Sequence, residues 1–242
     1  MKISLLLSGQ INNRFKECFD SVKQYLLDVY DVDVFISTWE SEHLDDILRL
    51  YNPKYCRVEN YNSNGFKIRY NNFFYYLNSN NPPKIERPLI SSYPMWYKIY
   101  DVNNLRKDYE IIKKFKYDVV IRSRFDVDFN ARQVNIDKSL LSCEGLDLNE
   151  IEDVMNNDVV YLRKDEYKPE GRPYRFEEWI WDTFAFGNSK VMDIYCGTFL
   201  NLEELVLMDP NVNEIMLLNQ LKNHNIPTKQ TKTLYGVRRS TQ

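Results

Sequence analysis

Short apolar runs separated by stretches of helical periodicity limit this chain to one fold class. Ile3 to Leu7 (ISLLL) is continuous and closes on Ser8-Gly9-Gln10, and Val32 to Ser37 (VDVFIS) closes on Thr38-Trp39. Runs this short, ended by turn residues, read as buried strands. Between them Phe15, Cys18, Phe19, Val22, Tyr25, Leu26 and Val29 recur at helical spacing, which predicts one apolar helix face from about 13 to 29. A short helix near 43 to 50, a strand near 55 to 59 and another at 118 to 122 (DVVIR) continue the alternation. Strands alternating with helices predict an α/β domain with a mostly parallel central sheet and helices on both faces.

The middle of the chain interrupts this rhythm. Residues 60 to 91 carry an Asn/Tyr/Phe-rich patch followed by Asn81-Pro82-Pro83 and Arg87-Pro88, which predict a surface loop. Ser91 or Ser92 then caps a helix with Pro94 in its first turn and Met95, Ile99, Val102, Leu105, Tyr109 and Ile112 as its apolar stripe. Further strands are expected near 158 to 162 and 183 to 187, and helices near 189 to 200 and 211 to 223. No repeat, linker or shift in composition divides the chain, so residues 1 to 242 read as a single domain with an irregular C-terminal half.

Charge and glycine content narrow the function classes. With 32 basic and 35 acidic side chains the formal charge is −3, which leaves no basic excess for nucleic acid or anionic lipid. The seven glycines are too scattered to build a glycine-rich phosphate loop, so Walker-type and Rossmann-type fingerprints are absent. Cys18, Cys56, Cys143 and Cys196 form no close pair, the pattern of idle thiols in a reducing compartment. The Ile3 to Leu7 run is too short for a signal sequence or a membrane span, and a cytoplasmic protein without a membrane span is expected.

The chemistry is concentrated in Tyr117-Asp118-Val119-Val120-Ile121-Arg122-Ser123-Arg124-Phe125-Asp126-Val127-Asp128. A buried strand here runs into two arginines and two carboxylates at its carboxyl end, where ligands bind in open α/β sheets. In an extended stretch, residues two apart point to one side, so Asp126 and Asp128 can face one ion together. Hard cations such as Mn²⁺ or Mg²⁺ prefer oxygen ligands and complete their shell with substrate phosphates. Arg122 and Arg124 share the other parity and offer bidentate donors to phosphate or carboxylate. An Asp-x-Asp phosphoesterase needs its first Asp at the tip of the apolar strand, whereas Arg122 to Phe125 intervene here.

Several motifs in order resemble a family. ISLLLSGQ with its following Arg-Phe helix, VFISTW, Met95-Trp96-Tyr97-Lys98-Ile99-Tyr100, YDVVIRSRFDVDF and Trp181-Asp182-Thr183-Phe184-Ala185-Phe186-Gly187-Asn188-Ser189 look like the small GT-A-type glycosyltransferases of bacterial surface-glycan clusters and large DNA viruses. The resemblance implies a GT-A-like fold in which residues 1 to 130 form a nucleotide-binding half and 131 to 242 an acceptor-side half. It also implies a nucleoside diphosphate sugar donor, with a UDP-sugar expected, and a glycan or glycoconjugate acceptor. The donor diphosphate would sit on Mn²⁺ or Mg²⁺ held by Asp126 and Asp128. Ser8, Gly9, Gln10, Thr38 and Trp39 would line the nucleotide pocket, and all lie at strand carboxyl ends.

A general base is needed for transfer with inversion, and Asp182 is the candidate, with Glu177 and Glu178 as alternates. Trp179 and Trp181 beside it, with Trp39 and Trp96, offer surfaces on which a sugar can stack. Arg14 and Lys98 are candidates for phosphate or acceptor contact, and Arg238 and Arg239 for closing over the diphosphate. His224, in a polar helix end, reads as a capping or solvated residue in place of the late metal-ligand histidine of related enzymes. A non-catalytic nucleotide-sugar or carbohydrate-binding module uses the same cleft without turnover.

Overall fold

A computed structural model describes residues 1–62, 65–69, 92–130, 145–165, 179–208 and 213–238. Ser91, Cys143, Glu177, Glu178, Arg239 and most of the 60 to 91 loop lie outside the described residues.

Seven strands form one sheet: β1 Ile3–Gly9, β2 Val32–Trp39, β3 Tyr55–Glu59, β4 Val119–Ser123, β6 Val160–Asp165, β7 Trp179–Gly187 and β8 Thr228–Gln230. A separate two-stranded ribbon joins β5 Val127–Asp128 to β9 Gly236–Val237 in antiparallel register. The large sheet runs β3-β2-β1-β4-β7-β6-β8. β3, β2, β1 and β4 are mutually parallel, β7 pairs antiparallel with both β4 and β6, and β8 lies parallel to β6. β7 alone therefore runs against the others.

Alternation along the strands creates two cores. Leu6 lies between Phe35 and Arg122 in the register of β2-β1-β4, and Leu6, Phe35, Val120 and Ala185 face one apolar cluster. That cluster is covered by the helix Ser92–Lys113 together with Ser189–Cys196, Leu202–Met208 and Asn213–Asn223. Leu5, Leu7, Ile36, Ile121, Phe184 and Phe186 face the second cluster, covered by Phe15–Val22, Leu44–Tyr51 and Leu148–Asn156. Helices thus lie on both faces of a mostly parallel sheet.

Local departures from the sequence expectations have physical causes. The periodic stretch from 13 to 29 is an α-helix Phe15–Val22 that widens into a π-helical turn Lys23–Leu27. The stripe expected on Ser92–Lys113 is too narrow: Ile99, Val102 and Leu105 are buried, but Ile112 is 60% exposed. Trp96, Lys98, Asp101, Arg106 and Glu110 are buried as well, because sheet and neighbouring helices wrap more than one side of this helix. The unexpected helix Leu148–Asn156 is capped by Asp147, whose carboxylate accepts from Asn149 N at 2.9 Å and Glu150 N at 3.2 Å.

The charged groups around Arg106, on the side of the first core, are paired. Arg106 is 0% exposed; it donates from Nε to Asn103 Oδ1 at 3.0 Å and from NH1 to Glu110 Oε1 at 2.7 Å, and also bonds Ser189 and Asp193. Ser189 Oγ donates to Glu110 Oε1 at 3.0 Å, so the network clamps two helices together with its charges balanced.

Of the cysteines, Cys18, Cys56 and Cys196 are free, and burial pushes the thiols of Cys18 and Cys196 up to about 12. No helix among the described residues is long and apolar enough to cross a membrane.

Candidate functional site

The strand order steps outward from β1 through β2 to β3, then returns to place β4 on the other side of β1. Chain connections diverge at that switch point and leave a crevice beyond the strand ends. A cavity of about 550 Å³ opens there, lined among others by Ser8, Gly9, Gln10, Trp39, Arg122 and Arg124. These six residues come from the ends of β1, β2 and β4 and were all expected at the site.

Thr38 is fully buried and does not line the cavity; it faces away from Trp39 by strand alternation. Its Oγ1 donates to the Gly9 carbonyl at 2.8 Å, tying the β1 end to the β2 end. Gly9 has φ +109°, a conformation that side chains oppose, and Gln10 and Ile11 after it line the crevice.

Trp39 forms an aromatic wall with Tyr61, edge to face at 5.2 Å between centroids, and stacks with Tyr97 at 6.1 Å. Tyr61 also lines the cavity. Lys98 does not; it is buried beneath the wall, with its ammonium 4.0 Å from the Trp39 centroid and paired with Glu59. Tyr97 Oη donates to the same carboxylate at 3.0 Å. Burial pushes the Glu59 carboxyl up, but the Lys98 and Tyr97 bonds outweigh it and hold it below the usual range. The charge of Lys98 is thus engaged in holding the wall, not directed at a ligand.

Arg122 is the electrostatic centre of the cavity. It is 1% exposed, and its Nε and NH1 are buried without a hydrogen-bond partner among the described residues. Ser8 also lines the cavity, and its Oγ is likewise buried and unpartnered among the described residues. Arg106, by contrast, has all three guanidinium nitrogens hydrogen-bonded. Pro94 and Met95 bring the first turn of Ser92–Lys113 to the same cavity, adding the positive end of a helix dipole.

The two aspartates sit one layer behind. Arg124 closes a bidentate pair on Asp126, Nε to Oδ1 at 2.8 Å and NH2 to Oδ2 at 2.6 Å, and Asn12 Nδ2 reaches Oδ2 at 3.4 Å. Asp128 Oδ1 accepts from Asn130 N at 2.8 Å, while Oδ2 is bound by Arg238 Nε. Arg238 N also donates to Asp126 O at 2.8 Å, an extension of the β5/β9 ribbon. Arg124 therefore engages its fork with Asp126 and does not hold it free for a ligand. Each carboxylate is tied to a different arginine, and neither aspartate lines the cavity.

Among the described residues no group of three or more His, Cys, Asp or Glu side chains is arranged to hold a metal ion. Two carboxylates one residue apart still suit a hard cation in kind, with phosphate and water completing its shell. Their oxygens accept from protein donors, Arg124 and Asn12 at Asp126 and Asn130 and Arg238 at Asp128.

Asp182 on β7 is 6% exposed, and its carboxylate has no hydrogen bond or ion pair among the described residues. Its carbonyl accepts from Tyr195 Oη at 3.3 Å, and Arg122 and Asp182 both act electrostatically on that hydroxyl. Arg14 is paired with Glu17 at 2.8 and 2.6 Å, away from the cavity lining. Trp96 is fully buried against Tyr195, so it is core and not a sugar surface. Trp181 carries the Arg163 guanidinium 4.8 Å from its centroid. The His224 ring meets Gln220 O at 2.9 Å, a helix-end contact.

Tyr61, Met95 and Asn12 were not anticipated. Tyr61 follows β3, parallel to β2, so the rule about strand ends applied to β3 would have pointed to it. No protein-family model and no curated protein matches this chain.

Proposed function

We propose that this protein is a glycosyltransferase of GT-A-like architecture that moves a sugar from a nucleoside diphosphate donor to a hydroxyl of a glycan or glycoconjugate. The observation that carries the reading is Arg122, a buried guanidinium whose Nε and NH1 have no hydrogen-bond partner among the described residues, in a crevice walled by Trp39 and Tyr61. An anion beside an aromatic surface is what a nucleotide presents. Every cavity-lining residue named above lies before residue 130, in keeping with a nucleotide-binding N-terminal half.

In this reading Arg122 and Ser8 bind phosphoryl oxygens and Trp39 and Tyr61 flank the base, with a UDP-sugar as the first donor to test. Asp182 accepts the proton of the acceptor hydroxyl as that oxygen bonds to the sugar's anomeric carbon and the bond from that carbon to the diphosphate breaks with its electron pair. An unpaired, nearly buried carboxylate suits that task. Asp126 and Asp128 would hold Mn²⁺ or Mg²⁺, which when bound supplies positive charge to the departing diphosphate.

The test is a thermal-shift screen of nucleoside diphosphate sugars with and without Mn²⁺, followed by mass spectrometry of the product with wild type and Asp182→Asn. Stabilisation by a donor, transfer by wild type and its loss in the variant are expected. A flat response to every donor overturns the reading. Donor binding without product over a broad acceptor panel converts it to a non-catalytic binding module.

A further inference from the structure

The unsatisfied donors in the crevice and the satisfied carboxylates behind it point to different owners for a ligand's negative charge. Arg122, whose Nε and NH1 are buried without a hydrogen-bond partner among the described residues, lines a cavity that Ser8, its Oγ also buried and unpartnered, shares. Leu6 and Arg122 are register partners on adjacent parallel strands, so Ser8, two residues on from Leu6, lies on the same sheet face as Arg122. The first turn of Ser92–Lys113 closes the same space through Pro94 and Met95. All the elements of an oxyanion cradle are present: a fixed cation, a hydroxyl and a helix N-terminus.

A buried guanidinium with unsatisfied N–H donors is costly, and Nε and NH1 of Arg122 find no hydrogen-bond partner among the described residues. Asp126 and Asp128 are in the opposite condition, since Arg124, Asn12, Asn130 and Arg238 already donate to them. From this asymmetry we infer that Arg122 and Ser8 form a phosphoryl-binding subsite that works without a divalent cation. The inference rests on the nucleotide-donor reading of the crevice and assigns its anion to the protein's own cation, leaving Asp126 and Asp128 out of ground-state affinity. The shared chemistry is a phosphoryl oxygen, whether of a nucleotide or of free pyrophosphate.

Isothermal titration of the full chain with inorganic pyrophosphate and with UDP, each in EDTA and in excess Mn²⁺, tests it. Both ligands are expected to bind in EDTA, UDP the more tightly because pyrophosphate lacks a ring for Trp39 and Tyr61. Arg122→Gln should weaken both in EDTA by about tenfold or more, the scale of one lost charge-assisted contact. Ser8→Ala should weaken them by a smaller factor. The ligand-free Arg122→Gln protein should melt at the same temperature as wild type or higher, because a buried charge with unsatisfied donors has been removed; a structural arginine would lower it. Binding that appears only with Mn²⁺ overturns the inference and leaves the donor reading standing. Binding in EDTA that Arg122→Gln does not weaken also overturns it. No binding of either ligand in either condition removes both.

Discussion

The ammonium of Lys98 lies 4.0 Å from the centre of the Trp39 ring, with Glu59 as its counter-charge. A buried cation therefore holds the aromatic wall of the crevice from behind. Lys98→Met removes that hold and leaves Glu59 with Tyr97 as its side-chain hydrogen-bond partner among the described residues. Because Glu59 keeps some access to water, the expected loss of stability is about 1–3 kcal/mol, less than for a fully buried pair. Combining Lys98→Met with Glu59→Gln should restore part of it. Urea denaturation of the four proteins closes the cycle, and a double variant no more stable than Lys98→Met would mean the pair is not the source of the loss.

Gly9 gives a second prediction that separates strain from space. A Cβ built there meets nothing within 4 Å, yet φ is +109°. Gly9→Ala should therefore cost about 1–2 kcal/mol in backbone strain alone. Affinity for any ligand that the crevice takes should fall far less than with Arg122→Gln. If Gly9→Ala is as stable as wild type in denaturant, the turn relaxes and its conformation is not required.

How far the site was legible follows from which residues depend on strand ends alone. Ser8, Gly9, Gln10, Trp39, Arg122 and Arg124 each end or follow an apolar run, and a parallel sheet gathers such positions whatever the rest of the chain does. Thr38 and Trp39 are neighbours on one strand, so only one of them can face the crevice, a point that alternation settles. Lys98 and Trp96 depend on how Ser92–Lys113 is enclosed, which its own periodicity does not record. The bond between Arg238 and Asp128 spans 110 positions and has no local signature. The helix Leu148–Asn156 did have one: Asp147 and Glu150 stand at capping-box spacing.

Glu150 predicts a pH dependence. Burial raises its pKa above the ordinary value, although the carboxylate accepts from Thr231 Oγ1 at 2.8 Å and Lys232 N at 2.7 Å. The folded state then binds its proton more tightly than the unfolded state, so stability falls as pH rises from the unfolded pKa through the folded one. Glu150→Gln lacks this dependence. The stability difference, variant minus wild type, should therefore move in the variant's favour as pH rises from about 4 towards neutrality. Denaturation curves across that interval measure it, and a difference independent of pH would show that Glu150 titrates alike in both states.

Arg238 decides whether a cation has room at the paired aspartates. Its guanidinium binds Asp128 and lies 3.2 Å from Glu17 Oε2, and its backbone N donates to Asp126 O. A divalent ion that takes Asp128 must displace the guanidinium, so metal affinity is reduced by whatever that contact contributes. Arg238→Gln should therefore bind Mn²⁺ more tightly than wild type, by several-fold to about tenfold, since bonds to charged groups are worth roughly 1.5–3 kcal/mol and a half-exposed one less. Asp128→Asn should bind Mn²⁺ more weakly than either. The free Mn²⁺ signal in electron paramagnetic resonance reports this directly, with no need of turnover. If Arg238→Gln leaves the Mn²⁺ affinity of wild type unchanged while Asp128→Asn abolishes it, the arginine does not compete and moves aside without cost. If neither substitution changes it, Mn²⁺ is held elsewhere, and the Asp126-Val127-Asp128 turn serves instead to anchor the β5/β9 ribbon beneath the crevice.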